Sequence, residues 1–154
     1  MKKIGFIGMG NMAGAIAGGT IKSGLAEGEN VYALDIDNDK LTKMHTDFSI
    51  NVCTSEKELV AMADIVIIAV KPNVVEDVVA KITDELDNKA IISIVAGYDN
   101  EMYNELLLDS TRHLTIMPNT PALVMNGMTF FEQEITLTAD ELNYAVVMFS
   151  SIGV

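Results

Sequence analysis

The chain is predicted to be an α/β protein built on a doubly wound, mainly parallel sheet. Three observations predict it. Short β-branched runs alternate with helical segments from one end to the other. The run Asp64 to Val70 (DIVIIAV) shows no alternation of apolar and polar residues, as expected of a strand covered on both faces. The first run, Lys3 to Gly8 (KIGFIG), ends in a glycine-rich turn that opens a helix.

Each element follows from its own residues. Asn11 to Ser23 carries Met12, Ile16 and Ile21 at helical spacing among alanines and glycines, with Gly24 as a stop. Val31 to Leu34 (VYAL) is the second strand, and Lys40 to Phe48 the helix after it. Ile50 to Cys53 (INVC) makes a short third strand and Ser55 to Met62 a short helix. After the fourth strand, Pro72 suits the first turn of a helix running to about Leu86. Ala90 to Ala96 is the fifth strand, closed by Gly97, and Asn100 to Leu108 is helical. His113 to Met117 is the sixth strand, followed by a stiff loop over Pro118-Asn119-Thr120-Pro121. Gly127 to Glu132 fits an edge strand, and Thr138 with Glu141 forms a capping-box pattern for a helix to about Ser150. No linker, repeat or low-complexity segment interrupts this order, and 154 residues suit one ordinary domain.

Composition narrows the function. Acidic residues outnumber basic ones 22 to 10, a net charge of −12, which argues against non-specific binding to nucleic acid or anionic membranes. The one cysteine, Cys53, excludes an internal disulfide and reads as an inert core thiol. His45 and His113 have no Cys or His at metal-ligand spacing, so no metal site is expected. No apolar stretch reaches membrane-span length and the first ten residues read as a strand, so the expected compartment is the cytoplasm.

Ligands of such sheets bind beyond the carboxyl ends of the strands. There, Gly8-Met9-Gly10-Asn11-Met12-Ala13 fits G-x-G-x-x-A, a pattern that cradles a dinucleotide pyrophosphate. Gly8 permits the tight turn, Gly10 clears the backbone for the anion, and Ala13 lets the helix pack closely. The helix N-terminus then offers N–H groups and a positive dipole end, which is how an acidic chain holds an anionic cofactor. Asn11 is placed to satisfy the helix start, and Met12 reads as core. The bland alternative is a glycine-rich structural turn.

Asp35 closes the second strand 22 positions after Ala13, near the ~20 expected of the carboxylate that accepts ribose hydroxyls. It would repel a 2′-phosphate, and no Arg lies nearby, so the cofactor expected is NAD(P)H with a lean to NADH. Asp37 and Asp39 read as turn and cap residues.

Taken in order, Gly5 to Ala13, Ala69-Val70-Lys71-Pro72, Ser93-Ile94-Val95-Ala96-Gly97, Met117-Pro118-Asn119-Thr120-Pro121-Ala122 and Gly127-Met128-Thr129 resemble pyrroline-5-carboxylate reductase over essentially the whole chain. The resemblance implies a Rossmann domain binding NAD(P)H, followed by a helical domain that makes the dimer and much of the substrate pocket. It implies hydride transfer to a cyclic imine, giving proline. A protonated imine is already a good electrophile, so alignment is the main task and no catalytic residue is assigned within these residues. The chain stops at Ile152-Gly153-Val154, about where the helical domain would begin. The expectation is therefore a cofactor domain, inactive alone, of a longer homo-oligomer acting on a small-molecule substrate.

Within that resemblance, Val70, Lys71 and Pro72 border the nicotinamide ribose, and Lys71 is either an anion contact or a solvated lysine. Ala96 and Gly97 let the nicotinamide lie against the sheet. Asn119 and Thr120 orient the carboxamide, unless they only cap a turn. The family's basic residue at position 36 is Ile36 here, and its Arg at position 115 is Thr115. The competing readings are a related β-hydroxyacid or prephenate-type dehydrogenase domain, and a non-catalytic NAD(P)-sensing or regulatory protein.

Overall fold

The computed structural model describes residues 2–118, 129–131 and 136–150. Its strands are β1 (Ile4–Ile7), β2 (Val31–Leu34), β3 (Asn51–Val52), β4 (Ile65–Ile68), β5 (Ala90–Ser93), β6 (Arg112–Pro118) and β7 (Thr129–Phe131). Its helices are α1 (Asn11–Lys22), α2 (Asn38–Phe48), α3 (Glu56–Met62), α4 (Val75–Ile82), α5 (Asn100–Leu106) and α6 (Ala139–Ser150).

The strands form one sheet in the order β3-β2-β1-β4-β5-β6-β7. The first six pair in parallel, and β7 runs antiparallel on the outer edge of β6. The order reverses between β1 and β4, which makes the space above those two strands the topological switch point of a doubly wound Rossmann-type sheet.

Two cores follow from the period-2 geometry of the strands. Ile4, Phe6, Ile65, Ile67 and Ile92 point to the face covered by α1, α2 and α6. Ile7, Val66, Ile68 and Ile91 point to the face covered by α3, α4 and α5. All four residues of β1, β4 and β5 are buried, which explains their unbroken apolar runs.

Several boundaries differ from expectation. The helix after β4 does not start at Pro72: Pro72–Val74 is a 3-10 turn, and α4 ends at Ile82 in a series of turns. The helix after β2 starts at Asn38, two residues early, because the Asp37 carboxylate caps it by accepting from the N–H groups of Asp39 and Lys40. The third strand shrinks to Asn51–Val52 at the sheet edge. The sixth strand runs on through Pro118. Beyond Thr115, among the described residues, it pairs with β7 and not with β5, so a residue lacking an N–H is tolerated at this edge. Of the expected strand Gly127 to Glu132, Thr129–Phe131 forms, and the remainder lies outside the described residues.

The capping box of α6 is present. Thr138 N–H donates to Glu141 Oε1 and Glu141 N–H to Thr138 Oγ1. Glu141 also grips Arg112 of β6 through both carboxylate oxygens, at 2.7 and 2.8 Å. That guanidinium holds the Glu141 carboxyl below the usual glutamate range, against the opposing effect of burial. Among the described residues, no helix is long and apolar enough to cross a membrane.

Candidate functional site: the carboxyl edge of the sheet

The loop from β1 to α1 is built by its glycines. Gly8 has φ +98°, and a Cβ there would lie 2.5 Å from the Ala69 carbonyl oxygen, so both backbone conformation and space demand glycine. Its N–H donates to Leu34 O at 2.8 Å, and Ala69 N–H donates to Ile7 O at 2.9 Å. The turn is thus stitched to the ends of β2 and β4.

Gly10 differs. It is the N-cap of α1 with an ordinary φ of −72°, and a Cβ there would meet nothing within 4 Å among the described residues beyond its chain neighbours. Among the described residues, no packing contact calls for glycine at this position. A side chain would instead fill the space in front of the helix N-terminus, the space a pyrophosphate needs. Among the described residues no side chain caps α1 or α4, whereas Asp37, Ser55, Asp99 and Thr138 cap α2, α3, α5 and α6. Asn11 is exposed and does not cap the helix start, contrary to expectation, because it is the first helical residue and Gly10 holds the cap position. Met12 packs on the core as expected, and Ala13 is buried.

Asp35 lies beside this loop. Its Oδ2 accepts from Met9 N–H at 2.5 Å and its Oδ1 from Asp37 N–H at 2.8 Å. The carboxylate therefore fastens the end of β2 to the glycine loop, a link that residue types and spacing did not reveal. Each oxygen can accept more than one hydrogen bond, so capacity for ribose hydroxyls remains. Ile36, next to it, is fully exposed, and Asp37 and Asp39 nearby are exposed.

The other walls come from neighbouring strands. Val70 is half-buried just beyond β4, while Lys71 and Pro72 are exposed. Ala96 and Gly97 are exposed beyond β5, with Gly97 at φ +75°. Because β2, β1, β4 and β5 are adjacent and parallel, Gly8 to Ala13, Asp35, Val70 to Pro72 and Ala96–Gly97 all gather at one edge of the sheet. Asn119 and Thr120 lie outside the described residues.

Beneath the β5 and β6 ends runs a buried polar layer that the functional reading of the sequence missed. Ser93 Oγ lies 2.6 Å from Tyr103 Oη. Thr115 Oγ1 donates to Asn100 Oδ1 at 2.9 Å, and the His113 ring nitrogens face Asn100 Oδ1 and Asn104 Oδ1 at 3.2 and 2.7 Å. The signal was available: Asn100, Tyr103 and Asn104 share one helical face, and His113 and Thr115 share one face of a strand.

Cys53 is buried, as expected of a core thiol. Burial, with the Glu58 charge, pushes its pKa up to about 11, which leaves it protonated and unreactive at neutral pH. It borders a surface hollow of about 580 Å³ with Tyr32, His45, Ile50 and Met62 at the β3 edge, and none of the predicted cofactor residues lines that hollow.

Comparison with known proteins adds four findings. Residues 3–97 match the model of a family described as NADP oxidoreductase, coenzyme F420-dependent. The pyrroline-5-carboxylate reductase of Methanosarcina acetivorans is 35% identical over 99% of this chain and 57% of its own length. Among solved structures, the pyrroline-5-carboxylate reductase of Coxiella burnetii aligns at a TM-score of 0.91 with 28% identity, covering 99% of this chain and 57% of that one. That of Plasmodium falciparum, with NADP bound, aligns at 0.85 with 27% identity, covering 99% and 56%. The chain thus spans a little over half the length of these relatives.

Proposed function

Because the chain belongs to the NADP oxidoreductase, coenzyme F420-dependent family, we propose that it is the dinucleotide-binding part of a pyrroline-5-carboxylate reductase. The observation that carries this reading is the β1–α1 loop: a glycine whose Cβ would meet nothing within 4 Å among the described residues beyond its chain neighbours, at a helix N-terminus that no described side chain caps, over the switch point of the sheet. Two curated or solved relatives named for that activity, each matched over 99% of this chain, support it.

When bound, the reduced dinucleotide supplies a hydride for the imine carbon of the substrate. The rest is work for this chain's residues. The α1 N-terminus and the Gly10 backbone hold the pyrophosphate, and Asp35 receives the adenosine ribose. Val70 to Pro72 and Ala96–Gly97 confine the nicotinamide end at the ends of β4 and β5. The substrate, a cyclic imino acid, and the wall that grips its carboxylate are assigned to a longer protein of the relatives' length, with a homo-oligomer as the proposed assembly.

The cofactor proposed is NADH in preference to NADPH. Asp35 brings negative charge to the ribose, Ile36 beside it has no donor for a phosphate, and Asp37 and Asp39 deepen the negative field. The Plasmodium relative's NADP makes this the feature in which the present chain would differ. Titration of NADH and NADPH against the chain, followed by protein fluorescence or calorimetry, tests both points. Binding of neither ligand overturns the dinucleotide reading; tighter binding of NADPH overturns the preference alone.

A further inference from the structure

We infer that Tyr103 is a positioning residue for the nicotinamide end of the cofactor, acting through Ser93 on the turn that follows β5. The inference rests on the dinucleotide reading above and concerns a residue that reading does not use.

Ser93 ends β5 and is 1% exposed. Its Oγ shares a hydrogen bond of 2.6 Å with the Tyr103 hydroxyl and accepts from Val95 N–H at 3.3 Å. It therefore joins α5 to the turn Ile94–Gly97. Ile94 N–H still extends the sheet by donating to Ile68 O at 3.1 Å, so the turn departs from the sheet between Ile94 and Val95. At that point the Ser93 hydroxyl fixes the Val95 peptide. The orientation of that peptide sets how the next two residues, exposed Ala96 and Gly97, are presented above the strand.

Tyr103 is suited to be the anchor. Its side chain is fully buried, and desolvation raises its pKa far enough to keep the hydroxyl neutral. Its ring packs edge-on against Tyr98 at 4.8 Å and tilted against His113 at 6.3 Å. The helix carrying it is fastened to β6 on either side of Tyr103, by Asn100 to Thr115 and by Asn104 to His113. A Phe and Ala pair would fill this volume without the cost of burying two hydroxyls. What the hydroxyl pair adds is direction, and it adds it at the strand end that faces the cofactor.

The test compares NADH with ADP-ribose, which keeps the adenosine, pyrophosphate and second ribose but lacks nicotinamide. Both are titrated against the chain and its Tyr103→Phe, Ser93→Ala and doubly substituted forms. The unmodified chain should bind NADH more tightly than ADP-ribose. Each single substitution should weaken NADH by about fivefold, the effect of one lost hydrogen bond, and leave ADP-ribose within about twofold. The double substitution should be no worse than either single one, and exchange of the Val95 amide hydrogen should quicken in all three. Should Tyr103→Phe not fold, Ser93→Ala decides alone. Equal weakening of both ligands would mean a purely structural role and overturn the inference. So would an unchanged NADH to ADP-ribose ratio, or no such difference in the unmodified chain. Failure of the unmodified chain to bind either ligand would instead remove the dinucleotide reading, and this inference with it.

Discussion

Two glycines of one loop answer to different constraints, and substitution should separate them. Gly8 cannot take a side chain without striking the Ala69 carbonyl, so its replacement damages the fold. Gly10 can take one without meeting any described residue beyond its chain neighbours. Gly10→Val should therefore leave the thermal midpoint within a few degrees of the parent and abolish dinucleotide binding. Undiminished affinity in the folded variant would take this loop out of the site. Asp35 is less simple than its position suggested. Its removal cuts the tie to Met9 N–H as well as the charge, so Asp35→Asn, which keeps an acceptor oxygen, is the cleaner probe. It should narrow the NADH to NADPH affinity ratio by about two- to fivefold, the scale of a solvent-screened charge interaction. Residue types and spacing singled out Gly8, Gly10, Ala13 and Asp35, because the glycine loop between β1 and α1 is local in sequence. They did not reveal the Met9–Asp35 bond or the Ser93–Tyr103 pair, which depend on the register between elements.

At the scale of elements, the strands were legible because burial on both faces leaves little choice of side chain. The helix ends were less so. Asp37, read as a turn or cap residue, caps α2, but it starts the helix two residues earlier than expected, and Pro72 opened a 3-10 turn in place of a helix. Gly5 shows what neither pattern nor propensity discloses. It belongs to β1, yet its Cβ would lie 2.4 Å from Leu59 Cδ2 and 3.1 Å from Ala63 Cβ. Gly5→Ala should cost about 1–3 kcal/mol, the usual effect of overpacking, measurable by urea denaturation. The Arg112–Glu141 pair ties α6 to β6. Its carboxyl titrates lower in the folded chain than in the unfolded one, so the stabilisation is complete above the ordinary glutamate range and disappears as pH falls through the lowered value. Glu141→Gln should cost about 2 kcal/mol at pH 7, and that cost should shrink as the pH falls below the ordinary glutamate range, a comparison made by denaturant titration at neutral and acid pH.

For the whole molecule, the proposed division of labour makes a kinetic prediction. These 154 residues should bind the cofactor yet reduce pyrroline-5-carboxylate very poorly, since holding only one reactant forfeits much of the ~7–11 kcal/mol that alignment contributes. NADH oxidation by this chain, compared with a version extended to the length of its relatives, checks it. Equal turnover per site would place the full substrate site within residues 1–154. The arrangement of the first face has a consequence of another kind. The apolar side of α1 is completed by α6, whose Ala145, Met148 and Phe149 join Ile16 and Ala17 in one core, while Tyr144 reaches back to the Leu25 carbonyl and Asp140 to Lys2. Helix α1 therefore waits for α6, which is made much later, before its surface is sealed. A nascent chain halted before Thr138 should expose that surface to chaperones and bind a hydrophobic dye, and release of the remaining residues should quench both signals together.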